Sequence, residues 1–202
     1  MMLDQNDFIP FHLPSLGKEE EDAVLRVLRS KWLTTGKETL AFEQEFSSFM
    51  EKATTKSIAS LAVNSASSGL QLAMEACDVG PCGKILTTPY TFVSTATSAC
   101  HLGGGVVYAD LGKDSYNIDP DAMEKKLQEH KDIKALVPVH IAGLPCNMKA
   151  INDLSKKYNI PVIEDAAHSF PSKTQDGYAG TLGDIGVFSF YATKTITTGE
   201  GG

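Results

Sequence analysis

From residue 57 to residue 165 the chain alternates short runs of Val, Ile and Leu with helix-length stretches, and this alternation restricts the fold more than any other feature. Residues 57–63 (SIASLAV), 84–88 (KILTT), 106–110 (VVYAD), 133–140 (IKALVPVH) and 160–165 (IPVIED) read as strands. Helices fit between them. The first bears Leu70, Ala73, Met74 and Cys77, the second covers 93–102, the third is capped by Asp119 and opened by Pro120, and the fourth covers 147–158. Near-continuous apolar strands separated by helices predict a parallel sheet buried on both faces, because each crossover lays a helix on the sheet. The expected class is therefore α/β, a mainly parallel sheet sandwiched by helices in one domain. Upstream, 18–31 reads as a helix with Val24, Leu25, Val27 and Leu28 on one face, and 39–50 as a second with Phe42, Phe46, Phe49 and Met50. Past Asp165 the pattern breaks into a Gly-, Asp- and Thr-rich stretch with a turn expected at Asp176-Gly177. Residues 187–192 (VFSFYA) then read as a short strand.

Charge narrows the function classes. Eighteen Lys and Arg against 25 Asp and Glu leave a net charge of -7, with no basic run, which speaks against non-specific nucleic-acid binding. A local set of donors can still hold a small anion. Cys77, Cys82, Cys100 and Cys146 form no CxxC pair and have no His at ligand spacing, so they read as small buried hydrophobes and no metal site is expected. The opening MMLDQNDFIPFH lacks a basic segment followed by an apolar one, and no apolar run approaches the ~18 residues of a membrane span. The expectation is a cytoplasmic protein without a membrane segment.

Ligands of open α/β sheets bind at the carboxyl ends of the strands, and four candidate segments fall there. NSASSG (64–69) leads straight into a helix. Its small residues leave the first N–H groups uncovered, and Ser65, Ser67 and Ser68 add hydroxyls, which together with the helix dipole suits a phosphate. Asp165 ends its strand, with His168 three positions on; a carboxylate there can pair with a cationic ring nitrogen. In PYTF (89–92), Phe92 can lie flat against a planar ring. Ser189 to Lys194 follows the last strand and offers an amine. Each has an ordinary reading: a serine cap, an Asp cap, a core aromatic, a solvated lysine. Jointly they match what pyridoxal phosphate demands, namely a lysine for covalent attachment, a carboxylate for the pyridine nitrogen, a phosphate cradle and a flat contact for the ring.

The sequence also resembles the sugar aminotransferases of the DegT/DnrJ/EryC1/StrS family over essentially its whole length. The resemblance rests on KWLTTG (31–36), FEQEF in the second helix, NSASSGLQLAM (64–74), TPYTFVSTA (88–96), PVHIAG (138–143), VIEDAAHS (162–169) and GDIGVFSFYATKTITTGEGG (183–202). The last two stretches are the most specific. The resemblance implies a type I pyridoxal-phosphate-dependent fold, like the large domain of aspartate aminotransferase. Residues 1–202 would form that large domain, truncated so that the family's C-terminal small domain is absent. It implies Lys194 as the lysine that carries the cofactor, Asp165 on the pyridine nitrogen and His168 near the phenolic oxygen. Phe92 would stack on the ring, and Ala66, Ser67 and Ser189 would hold the phosphate. Here SAS replaces the commoner SGT. Trp32, Thr34 and Thr35 would lie in the loop lining the substrate pocket.

The implied reaction passes an amino group from glutamate, which leaves as 2-oxoglutarate, to a keto group of a nucleotide-linked sugar, in polysaccharide or lipopolysaccharide synthesis. The implied assembly is a homodimer. Two alternatives stand beside this. One is a dehydratase of the same family, which carries histidine where this chain has Lys194. The other is a catalytically silent sensor or interaction protein on the same scaffold, which would be free to lose Lys194 or Asp165.

Overall fold

A computed structural model of the chain describes residues 9–202. The reading of the first residues as lacking a leader falls mainly on 1–8, outside the described residues. The elements in chain order are α1 (Lys18–Ser30), α2 (Lys37–Glu51), α3 (Ala66–Ala76), β1 (Lys84–Thr87), α4 (Ser94–His101), β2 (Gly105–Tyr108), α5 (Pro120–Glu129), β3 (Ile133–Val137), α6 (Met148–Tyr158), β4 (Ile163–Asp165), the hairpin β5 (Lys173–Thr174) and β6 (Gly177–Tyr178), and β7 (Ile185–Val187).

β1 pairs in parallel with β2 on one side and β3 on the other, and β4 pairs in parallel with β7. Parallel bridges Leu136 to Val162 and Val139 to Asp165 join the two sets. The result is one parallel sheet in the order β2-β1-β3-β4-β7, as the alternation predicts. Alternate residues of each strand face opposite sides. Leu86 and Leu136 pack with Met123, Leu127 and Ile151 of α5 and α6, whereas Ile85, Val137 and Ile163 pack with Leu70 and Met74 of α3 and Ala99 of α4. A third cluster joins Phe42, Phe46 and Phe49 of α2 to Phe170, Phe188 and Phe190. Its rings meet edge-on or tilted at centroid separations near 5 Å, such as 5.1 Å between Phe46 and Phe188. The caps follow the sequence: Asp119 and Asn147 side chains accept the N–H groups of Asp121 and Ala150 at the starts of α5 and α6.

Four expectations are corrected. Residues 57–63 form no strand; Val63 alone exchanges hydrogen bonds with Gly202, at 2.9 and 3.0 Å. A groove of about 530 Å³ lies between this segment and β7, so no ladder reaches 57–62. The last strand is 185–187 rather than 187–192, because the partner β4 ends at Asp165 opposite Val187. The turn expected at Asp176-Gly177 is the link of a short hairpin, with Gly177 already in β6. Of the cysteines only Cys146 is buried, while Cys82 and Cys100 are exposed. The apolar face of α1 also stays open: Val24 and Leu28 are exposed, and no residue of α1 is buried. Among the described residues no helix is long and apolar enough to cross a membrane.

Candidate active site

The parallel strands all end on one side of the sheet, and the chemistry-bearing residues gather there. Asp165, the last residue of β4, is almost fully buried. Its Oδ2 accepts the Thr95 hydroxyl at 2.7 Å and its Oδ1 accepts the N–H of Ala167 at 3.2 Å. Thr91, in the bend before α4, meets Thr95 through their hydroxyls at 2.7 Å. The carboxylate is thus held at both oxygens.

Beyond β7 the chain turns back on itself. The N–H of Phe190 donates to the Gly201 carbonyl at 3.0 Å, that of Thr198 to Phe190, and that of Lys194 to Tyr191 at 2.9 Å. This closed loop holds Lys194 within electrostatic reach of Asp165. A cavity of about 340 Å³ opens there, lined by Ala167, His168, Ser189, Thr193 and Lys194 among others. That is within the size range of small-molecule sites. Partial burial lowers the pKa of Lys194, with Asp165 pulling the other way. Burial also lowers that of His168, reinforced by the Lys194 ammonium and opposed by Asp165. The amine is therefore released from its proton more readily than an ordinary lysine.

The start of α3 lies beside the same loop. Ser65 caps the helix by accepting the N–H of Ser68. The N–H groups of Ala66 and Ser67 have no hydrogen-bond partner among the described residues, as expected of a first helical turn. Gly202 lies against the first of them: a Cβ at 202 would strike the Ser65–Ala66 peptide, so only glycine allows this approach. The Ser98 hydroxyl of α4 donates to the Ser67 carbonyl at 3.3 Å. Through α4, then, the helix start of α3 is tied to the element that holds Asp165.

His168, Ser189 and Lys194 therefore line one cavity within electrostatic reach of Asp165, with Ala66 and Ser67 adjacent. Phe92 does not line the cavity; it precedes α4 and is 69% exposed. Trp32, Thr34 and Thr35 are exposed in the α1–α2 loop, where the Trp32 indole donates to the Thr35 carbonyl at 2.9 Å. Sequence reasoning missed Thr95, which lies in the first turn of α4 beside the Thr91 hydroxyl of the preceding bend. It also missed Glu164 and His140, whose side chains meet in the core.

The model of the DegT/DnrJ/EryC1/StrS aminotransferase family matches residues 14–202. Spore coat polysaccharide biosynthesis protein SpsC of Bacillus subtilis is 40% identical over 202 residues, 100% of this chain and 50% of that protein. The crystal structure of an aminotransferase from Psychrobacter cryohalolentis matches with a TM-score of 0.86 at 34% identity, covering 95% of this chain and 48% of that one. A Streptococcus pneumoniae protein solved in its PLP-form matches with a TM-score of 0.86 at 28% identity, covering 96% and 51%. The chain spans about half the length of the curated relatives it matches.

Proposed function

Since the chain belongs to the DegT/DnrJ/EryC1/StrS aminotransferase family, whose cofactor is pyridoxal phosphate, we propose that residues 1–202 are the cofactor-binding large domain of a sugar aminotransferase. The amino group passes from glutamate to a keto group of a nucleotide-linked sugar. The observation that supports this reading is the gathering of Lys194, His168 and Ser189 around one cavity within electrostatic reach of Asp165, beside the N–H groups of Ala66 and Ser67, which have no acceptor among the described residues. Those residues fit the group: an anion cradle at a helix start, a fixed carboxylate, and an amine whose pKa burial lowers.

When bound, pyridoxal phosphate supplies an electron sink for the carbon that loses a proton. The chain's own groups do the rest. The N–H groups of Ala66 and Ser67, with the Ser189 hydroxyl, hold the phosphate. Asp165 keeps the pyridine nitrogen protonated, and Thr95 and Ala167 keep Asp165 in place. His168 serves the phenolic oxygen, while Phe92, expected on the ring face, stands outside the cavity before α4. Lys194 would hold the cofactor, and its free Nζ would move the proton at the donor's α-carbon. Trp32, Thr34 and Thr35 contact the sugar. The assembly is a homodimer and the setting is surface-polysaccharide or lipopolysaccharide synthesis in the cytoplasm.

The intact protein, incubated with glutamate and a panel of nucleotide-linked keto-sugars, tests the reading. Formation of 2-oxoglutarate and an amino-sugar with one of them supports it. Loss of water from a sugar without 2-oxoglutarate would replace it by dehydration.

A further inference from the structure

β4 carries two neighbouring carboxylates, and successive residues of a strand point to opposite faces. Asp165 faces the site; Glu164 is fully buried behind it. Glu164 meets four donors. Its Oε1 accepts the N–H groups of Leu182 at 2.7 Å and Gly183 at 2.6 Å, and its Oε2 accepts the N–H of Gly180 at 2.8 Å and His140 Nε2 at 2.8 Å. His140 Nδ1 accepts the N–H of Cys146 at 3.1 Å, which puts the ring proton on Nε2, toward Glu164. The His140 N–H donates to the Asp165 carbonyl at 3.1 Å, and the Asp165 N–H donates to the Pro138 carbonyl at 2.9 Å. Cys146 adds no nucleophile, since burial pushes its thiol up to about 12.

The loop 180–183 that Glu164 grips leads directly into β7. A Cβ at Gly186 would strike the Gly180 carbonyl, so the loop lies flat on that strand. Gly180 itself has a φ of +90°, and any side chain there would meet the Phe188 ring. From β7 the chain proceeds to Ser189 and Lys194. One buried carboxylate is thus joined to both halves of the site, to Asp165 through the backbone and to the Lys194 strand through three N–H groups.

We propose that Glu164, assisted by His140, is a positioning residue of the site: it fixes the orientation of Asp165 relative to the strand that delivers Ser189 and Lys194. This rests on the proposed roles of Asp165 and Lys194. Glu164 reaches neither cofactor nor substrate; it acts through the loop 180–183 and the neighbouring residue. Glutamine cannot replace it, because whichever way the amide turns, its NH₂ faces two donors.

The test uses the intact protein and its E164Q variant, loaded with pyridoxal phosphate. Three readouts are compared: kcat and KM separately, circular dichroism of the bound cofactor, and borohydride trapping on Lys194. The expected result is a kcat lowered roughly 10–100-fold, since misplacement of about 1 Å costs about that much, with KM changed less than about twofold. The dichroism of the cofactor also changes, while trapping on Lys194 persists. Ile151→Val, in the core away from the site, lowers the melting temperature without moving kcat or the dichroism. An E164Q enzyme that melts earlier yet keeps the parent's kcat and dichroism overturns the proposal. Should E164Q fail to fold, H140Q, which keeps a donor for Glu164 but loses the acceptor for Cys146, shows a smaller shift of the same kind. Parental dichroism and kcat in H140Q overturn the proposal equally. Failure to trap pyridoxal phosphate on Lys194 in the parent instead overturns the reading of the site itself.

Discussion

Thr95 Oγ1 donates to Asp165 Oδ2 at 2.7 Å, so a hydroxyl from α4 holds the carboxylate at the end of β4. Both residues are buried, Thr95 completely. Thr95→Val keeps the shape and removes the donor, leaving Oδ2 without that partner. The expected loss is about 1.5–3 kcal/mol of stability, typical of a hydrogen bond to a charged group. Urea unfolding of the variant against the parent measures it. A loss below about 0.5 kcal/mol would mean that water replaces the hydroxyl.

Lys194 and Asp165 should fail differently. Lys194→Ala abolishes borohydride-stable attachment of pyridoxal phosphate while leaving the phosphate cradle to retain it non-covalently. Asp165→Ala keeps the attachment and loses amino transfer, because the pyridine nitrogen is no longer held protonated. Reduction followed by peptide mapping decides the first half. A pyridoxyl group on any other lysine contradicts the assignment.

At the cradle, Ser67→Ala removes one hydroxyl and leaves the backbone donors. Cofactor retention should weaken by about 0.5–1.5 kcal/mol, the net value of an ordinary hydrogen bond. Equilibrium titration of the apo protein with pyridoxal phosphate gives the figure, and equal affinities would remove the hydroxyl from the cradle. Gly202→Ala should weaken retention more, since its Cβ would push into the Ser65–Ala66 peptide.

The lowered pKa of Lys194 has a definite sign in stability. Between its folded value and the ordinary 10.5, the unfolded chain binds more protons at this position than the folded one. Stability contributed through Lys194 therefore rises with pH across that window. Lys194→Met removes the proton-binding group, so the stability difference between parent and variant should shift in the parent's favour as pH rises toward 10.5. A pH-independent difference would show that the folded amine titrates like a free one.

Part of this protein was legible in its residues alone. The apolar runs of β1, β3 and β4 and the helices capped by Asp119 and Asn147 are local signals, fixed by side-chain period and capping chemistry. The same is true of Asp165, which ends the apolar run of β4, but not of Lys194, which lies in the loop beyond β7. Assembly decided the rest. Residues 57–63 have strand composition but form none, because a strand exists only where a partner's backbone reaches it, and among the described residues only Val63 has one, at Gly202. Thr95 and Asp165 lie 70 positions apart, and Glu164 grips N–H groups 16 to 19 positions away. No local pattern encodes such contacts. They arise when β4, α4 and the loop before β7 are packed at one edge, where a buried carboxylate must find donors wherever the fold brings them.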